Sequence, residues 1–526
     1  MAEHLFGFET EYAFRLADRS GSPLPRDLAI SRIQELARSK VACVPGYQGS
    51  GGFLANGARL YLDCGVHLEF CTPECANPWD VCRYLDAAQA LLTSAVDAYR
   101  AENPAVGEAA FQRCNVDYVN TAATWGTHES YLHTSDPAFM PRQLLPFLAS
   151  RVIWAGAGGF DPFQQLSFTL CPRIAHFSRD ISAHSTRDRG VFHTKDEPLC
   201  SRFHRLHVIC GDSVCSQTVN WLKAGVTSIV VAMVDAGLRP GDGMALTSPI
   251  NALRAYAAAP LERSITSTTD GRAVRAIDVQ RHYQRMAAQH ADAPWMSPWA
   301  GRVIVKWGQI LDALEQGIDA VATTLDWAIK LRLYQQWVAQ RRMEWDRLLL
   351  WGPVITRLRS AMFAIQPLPA IELSAALVLS PGAPLATAAR AEDAYLAQHG
   401  LEWSSLPSVL ATRAQLLEMD TRFGELGPRG IFNSLDQAGV LTHRIEGVDN
   451  IEHAMHNPPA IGRASVRGGA IRRLAGQGQR FMADWGSVLD CRTNMMLDLS
   501  DPWATTERWR RPEEVAPADE PEICTV

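Results

Sequence analysis

Glu9 and Glu11 stand two residues apart in Gly7-Phe8-Glu9-Thr10-Glu11-Tyr12, and in an extended strand that spacing turns both carboxylates to one side. The same spacing relates Tyr61 to Asp63 in a second segment, which His67 and Glu69 continue. Carboxylates gathered on one sheet face repel each other unless a cation neutralises them, and oxygen ligands suit Mg²⁺ better than Zn²⁺. The alternative for Glu9 and Glu11 is a solvated strand face with no ligand. A third strand-like run, Gly126-Thr127-His128-Glu129-Ser130-Tyr131, adds a histidine and a carboxylate. A lone histidine so placed is more often a hydrogen-bonded core residue than a ligand. Asn115 and Asp117 just before it read equally well as turn formers.

Basic residues then gather at Arg187, Arg189, Lys195, Arg202 and Arg205, followed by His207 and by Gly211-Asp212-Ser213 ahead of an apolar helix. Arginine forks match phosphate oxygens, and Asp or Ser can cap a helix, so a triphosphate could be gripped here opposite the carboxylates, with Arg187 and Arg205 as the main contacts. A surface loop with ion pairs is the plainer alternative. Neither a GxGxxG after a strand nor a GxxxxGK[ST] occurs, so the dinucleotide fingerprint and the P-loop are both unavailable.

Strands must present these residues. Residues 5–15, 58–72 and 111–134 alternate polar and apolar side chains as half-buried strands do. Helical patterns cover 81–101, 213–236 and a long amphipathic run over 318–350. The mixture predicts an α+β fold. From 351 to about 417 the composition shifts to Leu, Ala, Pro and Ser, with Pro367, Pro369, Pro381 and Pro384 as punctuation. The expected organisation is a catalytic unit over 1–350, an insertion or lid over 351–418, a small C-terminal domain over 419–498 and a loose, Pro- and Glu-rich tail over 499–526.

The whole chain of 526 residues is long enough for one large domain with additions, or for two to three domains. Its 47% hydrophobic and 20% charged residues and net charge of −6 fit a soluble globular protein and give no broad basic surface for nucleic acid. The N-terminus lacks the pattern of a secretion signal, and the longest apolar stretch, 226–234, is about half of what a membrane span requires. Twelve cysteines without paired knuckle spacings read as reduced, buried thiols, which predicts a cytoplasmic location.

Taken in order, the segments resemble the Pup ligase and depupylase family, relatives of glutamine synthetase and glutamate-cysteine ligase. The motifs are GFETEY (7–12), NGARLYLD (56–63), HLEFCTPE (67–74), GTHESYL (126–132), TKDEP (194–198) and RLHVICGDS (205–213). AIDVQRHY (276–283), DWAIK (326–330), RGIFNSL (429–435) and ADW (483–485) continue the series. The resemblance implies a glutamine synthetase-like curved antiparallel sheet that cradles ATP and Mg²⁺, helices behind it and a small C-terminal domain. It also implies carboxylate activation: ATP phosphorylates a C-terminal glutamate side chain on the small protein Pup, and a target lysine displaces phosphate to form an isopeptide bond.

By the same resemblance Glu9, Tyr61 and Glu69 match the metal ligands and Asp63 the catalytic aspartate. Glu11, His128, Glu129 and His207 are further candidates, Arg187 and Arg205 would face phosphate, and Trp485 would stack on adenine. The short stretch between Tyr12 and Asn56 and the Asp63-to-Glu69 spacing resemble the ligase branch more than the depupylases. Leu68 in place of a proline, Ser130 in place of an asparagine and the added 351–417 sequence depart from the family pattern. They leave open a depupylase or deamidase-type hydrolase, a ligase or kinase acting on a peptide or small carboxylate, and a silent binding module.

Overall fold

A thirteen-residue strand, β1 (Phe6–Asp18), runs through the centre of the main sheet. The computed structural model describes residues 4–47, 51–63, 65–196, 200, 202–258, 264–365 and 389–514. After β1 come β2 (Cys43–Pro45), β3 (Gly51–Leu54), β4 (Arg59–Leu62), β5 (Leu68–Cys71), β6 (Val106–Gln112) and β7 (Thr127–His133). A short hairpin, β8 (Gly159–Phe160) and β9 (Phe168–Thr169), precedes β10 (Phe177–Ser182), β11 (Arg189–His193) and β12 (His204–Val208). A second hairpin is formed by β13 (Ile265–Ser267) and β14 (Ala273–Arg275). The last four strands are β15 (Phe481–Ala483), β16 (Ser487–Asp490), β17 (Met495–Asp498) and β18 (Trp509–Arg510).

The main sheet has the order β10-β11-β12-β7-β1-β5-β4-β3-β2, with β6 on the far half of β1. Its pairings are antiparallel except that of β10 with β11. Register fixes two faces, because directly opposed residues share a side. Phe6, Phe8 and Tyr12 of β1 alternate inward and are buried. Tyr131, Phe70 and Leu206 continue that apolar face, and each full burial contributes about 1.5–3 kcal/mol.

Against this face lie the helices Pro78–Glu102 and Gln217–Asp235. Asn77 caps the first by accepting from the Asp80 backbone N–H at 2.9 Å, with Pro78 at the position where a missing N–H costs nothing. The second helix is buried on every side, as its largely apolar run 226–234 requires, and no described helix is long and apolar enough to cross a membrane.

Several boundaries differ from the expected ones. The 213–236 helix begins at Gln217 with Ser216 as cap, because Asp212 instead accepts from the Ala157 N–H at 2.9 Å and from the Cys171 thiol. The 58–72 run folds back as the β4–β5 hairpin, and 111–134 splits into β6 and β7 around a loop in which Asp117 accepts from the backbone N–H groups of Val119 and Asn120. The 318–350 run breaks after Gln340, with Arg342 at φ 59°, and resumes at Trp345.

Within the expected insertion, helices Trp351–Ile365 and Leu406–Phe423 pack Val354, Ile355, Leu358 and Leu410 against Tyr334 and Val338 of helix Asp326–Gln340. The Leu406–Phe423 helix runs straight across residue 418. The four prolines at 367, 369, 381 and 384 lie outside the described residues. Strands β15–β18 form a small C-terminal sheet tied to the main body by a Gly46–Ala483 bridge. The expected tail contributes to it: Leu499 is buried and Trp509 pairs with Leu497, while 515–526 lie outside the described residues. Ten cysteines fall among the described residues and are free, six of them buried.

Candidate active site

Opposite the helices, the second face of the sheet collects acid and imidazole side chains. Register carries them there: Glu11 opposes Glu69, Glu69 opposes Tyr61, Glu9 opposes His128, and Ser130 opposes His207. The expected sharing of a side by Glu9 and Glu11 thus extends across five strands. Glu9 Oε2 lies 3.6 Å from His128 Nδ1 and 3.6 Å from His207 Nε2, while Arg205 Nη1 approaches Glu9 Oε1 at 3.5 Å. Glu11 Oε2 accepts from the Gly126 N–H at 2.8 Å.

Two groups of ligand-bearing atoms result, Glu9/His128/His207 and Glu11/Asp63/His67, with the atoms of each within 4.8 Å of one another. Burial raises the Glu9 carboxyl, yet its contacts with His128, His207 and Arg205 outweigh this and hold it well below the usual range. Glu69 is the opposite case. Burial pushes it well up, and the charges of Glu9, Glu11 and Asp63 push it further. Burial raises the Tyr61 hydroxyl too, as does its carboxylate surrounding, including Glu69, to which it hydrogen-bonds. A buried carboxylate surrounded by like charges fits a cation, and the oxygen donors Glu9, Tyr61 and Glu69 fit Mg²⁺.

Asp63 directly follows β4 and is held by its own turn. Its Oδ1 accepts from the His67 N–H at 2.6 Å and its Oδ2 lies 3.5 Å from His67 Nδ1. Burial raises Asp63, but these His67 contacts prevail and lower it; the same pair raises His67 despite its burial. Asp63 is therefore ionised at neutral pH. The turn places Val66 at φ 60°, a costly conformation for a β-branched residue. The His67 ring also rests 5.4 Å from that of Trp125.

Beside Glu9 opens a cleft lined by Ser130 and Arg205 on the sheet side and by Arg463, Trp485 and Pro502 from the C-terminal part. Arg205 is fixed by donating from Nε to the Asp196 carbonyl at 2.8 Å and by a 3.3 Å contact to His207 Nδ1.

Other candidates lie elsewhere. Glu129 neighbours His128 in sequence and so faces the other way, into the core. It accepts from Arg151 at 2.7 and 2.8 Å and from the Tyr131 hydroxyl at 2.8 Å, and lies 3.4 Å from Lys223. Arg187 is exposed in the loop between β10 and β11. Arg189 is nearer the acids: burial and Arg173 push it down to about 10, with Glu11 pulling it back. Sequence reasoning passed over His67 as a partner of Asp63 and His193, whose ring stacks on His207 at 5.3 Å. The four-residue offset of His67 from Asp63 across a tight turn was a usable signal; His193 offered none.

The family model described as Pup-ligase protein matches residues 4–351 and 391–489. The chain belongs to this family. The match skips 352–390, the first part of the expected insertion. Pup--protein ligase 1 of Rhodococcus erythropolis is 29% identical over 92% of this chain and 93% of its own length. The ligase PafA, solved in complex with the prokaryotic ubiquitin-like protein Pup, aligns with a TM-score of 0.72 at 22% identity, covering 96% of this chain and 89% of its own. PafA in complex with ADP aligns with a TM-score of 0.66 at 23% identity, covering 92% of each chain. The fold of this family member is therefore that of the Pup ligases.

Proposed function

We propose that this chain is an ATP- and Mg²⁺-dependent cytoplasmic ligase that joins the C-terminal glutamate side chain of a Pup-like protein to a target lysine. The observation that carries this reading is Asp63, held by His67, beside a carboxylate-rich sheet face that opens on a cleft lined by Arg205 and Trp485. Glu9, Tyr61 and Glu69 would hold Mg²⁺, which supplies charge neutralisation for phosphate oxygens. His128, His207 and Arg205 hold Glu9. Arg205 also faces the cleft, where its guanidinium can grip phosphate and offset charge developing in transfer, while Trp485 offers adenine an aromatic wall.

Phosphoryl transfer from ATP to the carboxylate releases ADP and leaves an acyl phosphate. Asp63 attracts the lysine ammonium and takes one proton from it, and the freed amine then attacks the carbonyl carbon; phosphate leaves with the second N–H proton and the isopeptide bond remains. The low Asp63 pKa keeps the carboxylate charged for this task. Ligation should appear as a covalent adduct when the protein is incubated with ATP, Mg²⁺, a Pup ending in Glu and a lysine-bearing acceptor. Asp63→Asn should lose about 10²–10⁴-fold in adduct formation while retaining nucleotide binding. Wild-type rates in that variant would remove Asp63 from the chemistry. Cleavage of a preformed adduct with none formed would identify a hydrolase on the same fold.

A further inference from the structure

Trp485 sits in the turn between β15 and β16, on a sheet that touches the main body through few backbone contacts, so something else must fix its ring against the cleft. The side chain that meets it is Arg467, in the middle of helix Arg463–Leu474 and fully buried. Its Nη1 donates to the Trp485 carbonyl at 3.1 Å, and its guanidinium carbon stands 4.8 Å from the centre of the Trp485 ring. Phe53 of β3 meets the same ring edge-on at 5.1 Å and 86°.

Arg467 is anchored at its other end to the catalytic sheet. Its Nη2 donates to the Gly57 carbonyl at 2.8 Å, and both terminal nitrogens donate to the Glu74 carboxylate. Gly57 is the tip of the β3–β4 turn, at φ 82°, where an added Cβ would come within 3.2 Å of the Ala464 carbonyl. Glu74 follows β5, the strand of Glu69, and also accepts from Arg463 Nε at 2.6 Å. One planar fork thus spans the turn of the metal-facing hairpin, the exit of the Glu69 strand and the aromatic ring of the C-terminal sheet. Lysine could keep the charge there but could not make those contacts together.

We propose that Arg467, held by Glu74, is a positioning residue that sets the Trp485 ring relative to the phosphate-facing sheet and so confers preference for the adenine base. This rests on the reading of Trp485 as the adenine wall. Arg467 touches no reacting atom; it acts through the ring.

The test compares binding of ATP and of inorganic tripolyphosphate, both with Mg²⁺, by calorimetry on the full-length protein. Wild type should bind ATP more tightly, and Trp485→Ala should abolish that preference. Arg467→Lys should reduce the preference at least tenfold while changing tripolyphosphate affinity less than threefold. Combined with Trp485→Ala it should cost no further preference. Glu74→Gln, which keeps Arg467 in place but weakens its anchor, should give an intermediate loss and serves if Arg467→Lys does not fold. Equal losses for both ligands in the variants would make the clamp merely structural and overturn the inference. A wild type without any preference for ATP, or a preference that survives Trp485→Ala, overturns the adenine reading and the inference with it, whereas a preference lost in Trp485→Ala but kept in Arg467→Lys and Glu74→Gln overturns the inference alone.

Discussion

His128 and Glu129 are adjacent in β7, yet they belong to opposite electrostatic worlds. His128 faces Glu9 on the side of the sheet where three glutamates and an aspartate gather; Glu129 faces the helices, where Arg151 and Lys223 surround it. Burial disfavours the charged form on both sides. Behind the sheet, the paired bases reverse that penalty and hold Glu129 low. In front, the neighbours of Glu69 are acids, which add to the penalty and keep its carboxyl high. A buried acid beside bases completes the core, while a buried acid beside acids keeps a place for a cation.

Breaking the rear pairing should have the largest effect. Glu129→Gln leaves Arg151 and Lys223 buried without a counter-charge, and urea unfolding should show a loss of about 3–5 kcal/mol. A loss below about 1 kcal/mol would mean that water or rearrangement reaches this site. The front face should respond in the reverse sense. Glu69→Gln removes repulsion, so stability without Mg²⁺ should hold or rise, but Mg²⁺-dependent ATP turnover should fall about a hundredfold, or about 2.7 kcal/mol. Unfolding scans with and without Mg²⁺ check both halves. A variant that loses stability and keeps turnover would reverse the assignment of the two faces.

How far these faces could be read in the sequence follows from periodicity. Glu9, Glu11, Tyr61 and Glu69 were legible because a period of two and antiparallel pairing suffice to bring them together. The same rule excludes Glu129, one residue out of phase with His128, although a motif read as a unit groups the two. Arg189 and Arg187 are also two apart, but strand β11 begins at Arg189 and leaves Arg187 in the loop, a boundary that composition does not mark. The break after Gln340 was hidden because residues on both sides keep an amphipathic pattern. Arg467 was illegible for another reason: Gly57, Glu74 and Trp485 meet it only after the chain has folded back on itself.

Glu74 is a third, largely buried acid, and it extends the comparison to pH. Burial raises it, but Arg467 and Arg463 prevail and hold it at about 2, below the ordinary 4.5 of a glutamate. Because the folded value is the lower one, its contribution is complete above about 4.5 and is lost as pH falls from there through 2. The contribution should be on the order of 3 kcal/mol at neutral pH. Denaturation midpoints followed from pH 6 to pH 2 should therefore fall more steeply in wild type than in Glu74→Gln. Parallel curves would show that the two arginines do not hold the charged form.

The smallest effect is expected at Arg187, and it separates a charge near the cleft from a charge within it. Arg205 has its fork fixed by Asp196 and His207 and points at Glu9, so its position is already paid for before phosphate arrives. Arg187 stands exposed, where salt screens it and any phosphate contact would first have to order its side chain. Arg187→Ala should leave kcat/KM for ATP within about twofold, a shift of under about 0.5 kcal/mol. A tenfold loss would instead put the phosphate grip on the loop between β10 and β11 and require that loop to close over the nucleotide.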